Sequence, residues 1–274
     1  VWGRIPYVNW STSDWRKYQS ADPSLVQVGD GSMRLWARYG NYTTQSNPNT
    51  AQATYACGGV YTMNTFSFQY GYVEVRAKFN HTWGCWPAIW LMPYGGPWPT
   101  TGEIDMMEHL NNDAKVYQTL HYGTNDSGSR GVQKDFGSVG ALNEQWHTYG
   151  LLWQEGRIQF LVDGSITATY VTNNAWPFDN ANNRFYLIID EQIGGNWVQN
   201  GAKNAGYTPN DGINKDALER YGSAMDIDYV HVYSDPKYLA YVPEPEGEPT
   251  IPEPATATLS LLALAGLAAR RRRK

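Results

Sequence analysis

The residues best suited to chemistry stand in one run, Gly102-Glu103-Ile104-Asp105-Met106-Met107-Glu108-His109, which brings three carboxylates together. Side chains of an extended strand alternate between faces, so Glu103 and Asp105 share one face while Ile104 and Met106 take the other. Strict alternation would turn Glu108 away from its partners. One extra residue, a β-bulge at Met106 or Met107, returns Glu108 to the face of Glu103, and bulges are frequent beside active sites. The two glutamates then lie four strand steps apart, roughly 13 Å between Cα atoms at about 3.3 Å per step. With each side chain leaning inward by about 3.5–4 Å, the carboxyls come to roughly 5–6 Å, the spacing of retaining glycosidases and short of the roughly 6.5–9.5 Å of inverting ones. At that spacing one glutamate attacks an anomeric carbon, and the other protonates the leaving oxygen and later deprotonates water. Asp105 keeps negative charge near both, which raises the acid's pKa and orients the nucleophile through a shared proton or hydrogen bond. The plain alternative for the bare pattern is a solvated acidic edge strand.

Such a row needs a sheet to hold it, and the rest of the chain reads as strands. Short alternating apolar runs follow one another at 24–28, 32–37, 59–63, 66–79, 86–92, 103–108 and 116–121, separated by Gly, Asn, Pro and Asp clusters. A hairpin follows, 157–162 and 165–170 joined by Asp163-Gly164, a pair that favours a type I′ turn, and further strands fall at 184–190 and 225–233. About a dozen short strands without long helical periodicity predict an all-β, two-sheet sandwich of jelly-roll type.

Composition narrows the ligand. The 274 residues include 12 Trp and 20 Tyr, only 17% are charged, and the net charge is −5. Aromatic faces stack on the C–H faces of sugar rings, whereas a net negative surface repels nucleic acid. The two cysteines, Cys57 and Cys85, each adjoin a strand and have two readings, a cross-strand disulfide or a pair of buried thiols. No His/Cys set has zinc-ligand spacing.

One catalytic domain is expected over residues 1–241, beginning at Val1 without an apolar leader, then a Pro/Glu-rich linker over 242–254 and a C-terminal segment over 255–274. Residues 255–269 are mostly apolar and 270–274 all basic. A helix of that length is about 22 Å long, short of the roughly 30 Å hydrocarbon core. The Pro-Glu-Pro boundary, short apolar run and arginine cluster resemble the bacterial PEP-CTERM sorting tail. That resemblance implies export to the cell envelope or beyond, transient contact with membrane sorting machinery, and removal of the tail.

Over residues 15–234 the chain resembles glycoside hydrolase family 16. The motifs are Tyr70-Gly71-Tyr72-Val73-Glu74-Val75-Arg76-Ala77-Lys78, Trp86-Pro87-Ala88-Ile89-Trp90-Leu91-Met92-Pro93, Trp98-Pro99 ahead of the acid run, His147-Thr148-Tyr149-Gly150 with Trp153, Gly194-Gly195-Asn196-Trp197, and Asp228-Tyr229-Val230-His231-Val232-Tyr233. The resemblance implies a concave glycan-binding cleft on the jelly roll, with Glu103 as nucleophile, Asp105 as its assistant, Glu108 as acid/base, and Trp98 on the floor of the sugar site. Trp86, Trp90 and Trp197 belong either to the cleft or to the core, and His121 is either a neighbour of the nucleophile or a structural donor. Catalysis needs no cofactor; a structural calcium at Asp228 is the one metal implied. The bulged Glu-x-Asp-x-x-Glu spacing sets the chain apart from the lichenase and xyloglucan branches, which use Glu-x-Asp-x-Glu. The residues 109–113 and Asp190-Glu191-Gln192, with Gln192 as a sugar contact, look more like endo-β-1,4-galactosidases of poly-N-acetyllactosamine and mucin O-glycans than like laminarinases. The expectation is thus a monomer acting on a polysaccharide or glycoprotein glycan, with laminarinase and agarase activities, or a lectin-like binding module, as the alternatives.

Overall fold

The computed structural model describes residues 1–5, 22–44, 47–80, 82–194, 197–198 and 222–234. The linker and tail expected over 242–274, and Gly195-Asn196, lie outside the described residues. The strands in chain order are β1 (Gly3–Arg4), β2 (Val26–Gly29), β3 (Ser32–Thr44), β4 (Asn47–Cys57), β5 (Gly59–Tyr61), β6 (Gly71–Phe79), β7 (Cys85–Pro93) and β8 (Glu103–Glu108). After the acid strand come β9 (Lys115–His121), β10 (Arg130–Asp135), β11 (His147–Gln154), β12 (Arg157–Val162), β13 (Ser165–Val171), β14 (Phe185–Ile193) and β15 (Ser223–Tyr233).

Two antiparallel sheets result, the jelly-roll sandwich that the strand pattern predicts. One runs β1-β5-β14-β7-β8-β9-β10; the other runs β13-β12-β11-β6-β15-β3-β2, with β4 on β3. Between them lies a core in which Ile104, Met106, Ile89, Leu187 and Ile189 of the first sheet meet Val73, Val75, Tyr149, Trp153, Phe160 and Ile227 of the second. Each buried aliphatic or aromatic side chain contributes about 1.5–3 kcal/mol. The residues left over by alternation on the first sheet form the outer, concave face.

Three departures from the expected strands have local causes. The run 66–79 starts as a strand only at Gly71, because Tyr70 takes a φ of 66° and breaks the alternation; Phe68 makes an isolated bridge to Phe185 instead. Strands β4 and β10 were not signalled, since Asn47-Pro48-Asn49-Thr50 and Arg130-Gly131 lack apolar alternation. The Asp163-Gly164 turn has φ of 50° and 73°, as a type I′ turn requires. Cys57 and Cys85 are both buried thiols, the second of the two readings.

Candidate active site

The cleft is laid out by register. On β9, His121 stands opposite Glu103, Thr119 opposite Asp105, and Tyr117 opposite Glu108. On β7, Trp90 faces Asp105 and Ala88 faces Glu108. On β14, Tyr186 pairs with Met92, Asp190 with Ala88, and Gln192 with Trp86. The pairing with β7 passes from Ile89↔Met107 to Trp90↔Asp105, so Met106 is the extra residue and the bulge falls in the expected place. Met106 and Met107 are both fully buried, which is how two consecutive side chains are absorbed without displacing Glu108 from the cleft. Gly102 enters the strand at a φ of 95°, and a Cβ there would lie 2.8 Å from the Phe178 ring, so this position requires glycine.

All nine residues expected in the site, Glu103, Asp105, Glu108, Trp98, His121, Trp86, Trp90, Trp197 and Gln192, line one cleft of about 740 Å³. The tryptophans that had two readings therefore belong to the cleft, although Trp90 keeps only 8% of its surface exposed. Ala88, Met92, Thr119 and Tyr186 join them as register neighbours. Trp98 is 56% exposed and donates from Nε1 to Glu103 Oε2 at 2.5 Å. At the other end of the row Trp86 donates from Nε1 to Glu108 Oε1 at 3.0 Å. Trp197 stands edge-on to Trp86, with ring centroids 5.4 Å apart, and 5.0 Å from Tyr117. The carboxylates thus have an aromatic wall at each end.

The floor between these walls is polar and buried. Asp190, fully buried, accepts from Trp90 Nε1 at 3.2 Å and from Gln192 Nε2 at 3.0 Å. A Cβ on Gly59 would come within 2.9 Å of the Asp190 Cβ, so glycine on the neighbouring strand lets Asp190 sit where it does.

Electrostatics distinguishes Asp105 from Glu103. Burial pushes Glu103 above its ordinary value, opposed by the charge of His121 and by hydrogen bonds from Trp98 and Asp105. Asp105 stands well above the usual carboxylate range, through burial first and then the negative charge of Glu103 and Glu108. Both carboxyls are thus driven toward the protonated form, Asp105 the more strongly, which suits a proton shared between them. His121 places Nε2 3.4 Å from Asp105 Oδ2 and Nδ1 2.8 Å from Asp126 Oδ2.

Among the described residues, Glu103, Asp105 and His121 are the one group of three whose ligand atoms lie close enough to one another to share an ion, all within 4.8 Å. Proton sharing accounts for them. The calcium expectation at Asp228 meets an ion pair: Asp228, on β15 in the opposite sheet, is paired with the Arg76 guanidinium. A cation fixed to that carboxylate does not fit a calcium site, which needs six to eight oxygens.

The stretch 109–113 also differs from expectation. His109 is buried with its ring nitrogens on the carbonyl oxygens of Lys115 and Asn111. Asn111 accepts from Gly84 N and donates to Val198 O, while Asp113 accepts from the Tyr117 hydroxyl at 2.7 Å. None of these residues lines the cleft; Asn111 ties down the segment that carries Trp197. Of residues 109–113 and 190–192, Gln192 alone lines the cleft, with Asp190 directly behind it. Asp126, which sequence reasoning missed, has no signal in its own stretch beyond a turn-like Asn-Asp pair.

Comparison with known proteins adds likenesses of sequence and fold. A family model for glycosyl hydrolases family 16 matches residues 15–207, and one for the PEP-CTERM protein-sorting motif matches residues 250–274. A keratan-sulfate endo-1,4-beta-galactosidase of Sphingobacterium multivorum is 36% identical over 253 residues, covering 86% of this chain and 53% of that protein. A glucan endo-1,3-beta-glucosidase A1 of Niallia circulans is 30% identical over 243 residues, covering 82% of this chain and 33% of that one. The chain therefore spans about half the length of the first of these relatives and a third of the second. A solved structure reported with endo-acting O-glycanases of the human gut microbiota that initiate mucin breakdown superposes with a TM-score of 0.69 at 26% identity, covering 87% of this chain and 86% of the other.

Proposed function

The chain belongs to the family 16 glycosyl hydrolases, it carries a bacterial sorting motif that marks it for export, and on that footing we propose that it is a retaining endo-β-glycosidase of galactose-containing glycans. The observation that carries the reaction class is the acid row itself: Glu103, Asp105 and Glu108 on one face of β8, inside a cleft walled at both ends by tryptophan. In the first step a Glu103 oxygen forms a bond to the anomeric carbon as the glycosidic bond breaks, and Glu108 gives its proton to the departing oxygen. In the second, Glu108 takes a proton from water, the water oxygen bonds to the same carbon, and Glu103 is released as carboxylate. Trp98 Nε1–H and neutral Asp105 hold the nucleophile's oxygens in line. No step calls for a cofactor. Residues 1–241 act as the catalytic domain, 242–254 as a linker and 255–274 as a sorting tail, with the enzyme working as a monomer.

The preferred bond is the internal β-galactosidic linkage of poly-N-acetyllactosamine or mucin-type O-glycans. Gln192, held by a buried carboxylate beside Trp90, offers a fixed polar group to a sugar hydroxyl. A site built this way rejects the wrong epimer because its buried groups are left unpaired. The similarity to a keratan-sulfate endo-1,4-beta-galactosidase supports the same direction. The similarity to a glucan endo-1,3-beta-glucosidase favours a second reading, a laminarinase. Digestion of mucin glycans, laminarin and agarose side by side, with identification of the new reducing-end sugar, decides between them. Galactose from mucin supports the proposal, glucose from laminarin overturns it in favour of the glucanase, and anhydrogalactose products point to an agarase. Binding without new reducing ends on any of the three leaves a lectin-like module.

A further inference from the structure

The turn between β9 and β10 is built around one carboxylate that aims at the catalytic row. Asn125 and Asp126 take φ of 52° and 60°, a left-handed conformation that two successive non-glycine residues adopt only when their surroundings demand it. Gly123, at φ 83°, and Gly128 leave no room for a Cβ: one would lie 3.0 Å from Gly128 N, the other 2.4 Å from the Tyr122 ring. Tyr122 is fully buried, edge-on to Trp176 and Phe178, and its hydroxyl accepts from Arg130 and Asn173. The turn is therefore clamped to the core at its base. Within it, Asp126 Oδ1 accepts from the Tyr122 backbone N–H at 3.1 Å, which directs Oδ2 to His121 Nδ1 at 2.8 Å. The remaining groups facing the imidazole are the Ser129 hydroxyl, 3.4 Å from Nδ1, the Trp98 ring at 6.0 Å, and Asp105 and Glu103 across β8. Asp105 Oδ2 is buried and makes no hydrogen bond, at 3.4 Å from Nε2.

We propose that Asp126 is a positioning residue of the reaction: by accepting the Nδ1 proton of His121 it fixes the imidazole so that Nε2 confronts Asp105, extending the catalytic row to Glu103–Asp105–His121–Asp126. This rests on the reading of Glu103 as nucleophile. A carboxylate accepts only, so the nitrogen facing Asp126 must carry a proton. Nε2 is then the atom that exchanges a proton with Asp105 Oδ2. When Glu103 loses its charge to the sugar, the proton of Asp105 passes to Nε2; when Glu103 leaves the sugar, the proton returns, and the two transfers cancel.

Asp126→Asn tests this, because the amide still accepts the Tyr122 N–H through its oxygen and then presents its NH2 to Nδ1, reversing the proton order of the ring. Nitrogen-15 spectra of His121 in the full chain, assigned with His121→Ala, are expected to show a protonated Nδ1 in the wild type and a proton moved to Nε2 in Asp126→Asn. With the glycan that the wild type cleaves, kcat is expected to fall roughly tenfold or more with KM nearly unchanged, as in other cases where the wrong imidazole tautomer is imposed. The acid limb of the pH profile moves downward, as Glu103 loses one of the negative charges that raise it. The double variant with His121→Ala is no slower than His121→Ala alone. An unprotonated Nδ1 in the wild type, an effect on KM alone, an unmoved profile, or losses that multiply in the double variant would each overturn the proposal. A wild type that cleaves no glycan sinks the functional reading instead and leaves the tautomer measurement intact.

Discussion

The first sheet carries buried carboxylates on both of its faces, and the two sets are treated in opposite ways. On the concave face Glu103 receives a hydrogen bond from Trp98, Glu108 from Trp86, and Asp190 from Trp90 and Gln192. On the face toward the second sheet Glu191 is fully buried, and the Ser223 hydroxyl and Cys85 thiol beside it close no well-formed hydrogen bond to either oxygen. Burial pushes Glu191 well above the usual carboxylate range, so it lies among the core side chains as a neutral acid. Burial alone therefore does not mark a carboxylate as functional in this fold. What the concave face adds is an indole or amide donor against one oxygen of Glu103, Glu108 and Asp190, while Asp105 between the two glutamates shares its proton within the row.

Removing the negative charge where the donors stand has the largest effect. Glu103→Gln and Glu108→Gln are each expected to lower turnover roughly 10³-fold or more while folding and glycan binding persist. Retained turnover in either variant breaks the contrast. Asp105→Asn follows, lowering kcat by about 10- to 100-fold and moving the pH profile, since both flanking glutamates lose a group with which they share charge; an unmoved profile removes Asp105 from the mechanism.

The opposite outcome is expected across the sheet. Folding raises the pKa of Glu191, so the folded state holds a proton that the unfolded chain releases near pH 4.3. Its contribution is complete below that pH and declines as pH rises toward the folded value. Glu191→Gln abolishes this decline and leaves activity in place, so unfolding free energies of wild type and variant from urea melts diverge by about 1–3 kcal/mol between about pH 4 and pH 8, the variant being the more stable. Parallel free energies across that range would show a charged, satisfied Glu191. The smallest effect belongs to Trp98→Phe. It deletes the donor to Glu103, whose pKa then rises, and the acid limb moves upward by about one unit or less with the fold untouched.

The acid row was legible because it is local: three carboxylates, an alternation and a bulge are all contained in one strand, and only the choice between Met106 and Met107 needed the partner strand. The aromatic walls were legible by type, not by direction, since a tryptophan on β7 reaches the cleft or the core according to a register set by β8 and β14. Tyr186, Met92 and Thr119 entered the cleft through that pairing and have no signal of their own. His109 to Asp113 misled for the converse reason, as polar residues next to a catalytic strand satisfied one another and the backbone around Val198. Asp126 was invisible because its role depends on a left-handed turn two residues wide. Glu191 read as one letter of a motif, and only the packing of the second sheet separates it from Asp190 and Gln192.

Met106 also sets how a gene for such an enzyme can drift. Loss of its one codon would leave Glu103, Asp105 and the second glutamate at strict alternation, on one face, with the flanking pairings to β7 and β9 restored. An in-frame deletion of three nucleotides thus joins the two acid spacings of the family without an intermediate that lacks a carboxylate, and a lineage can cross between them in a single heritable event.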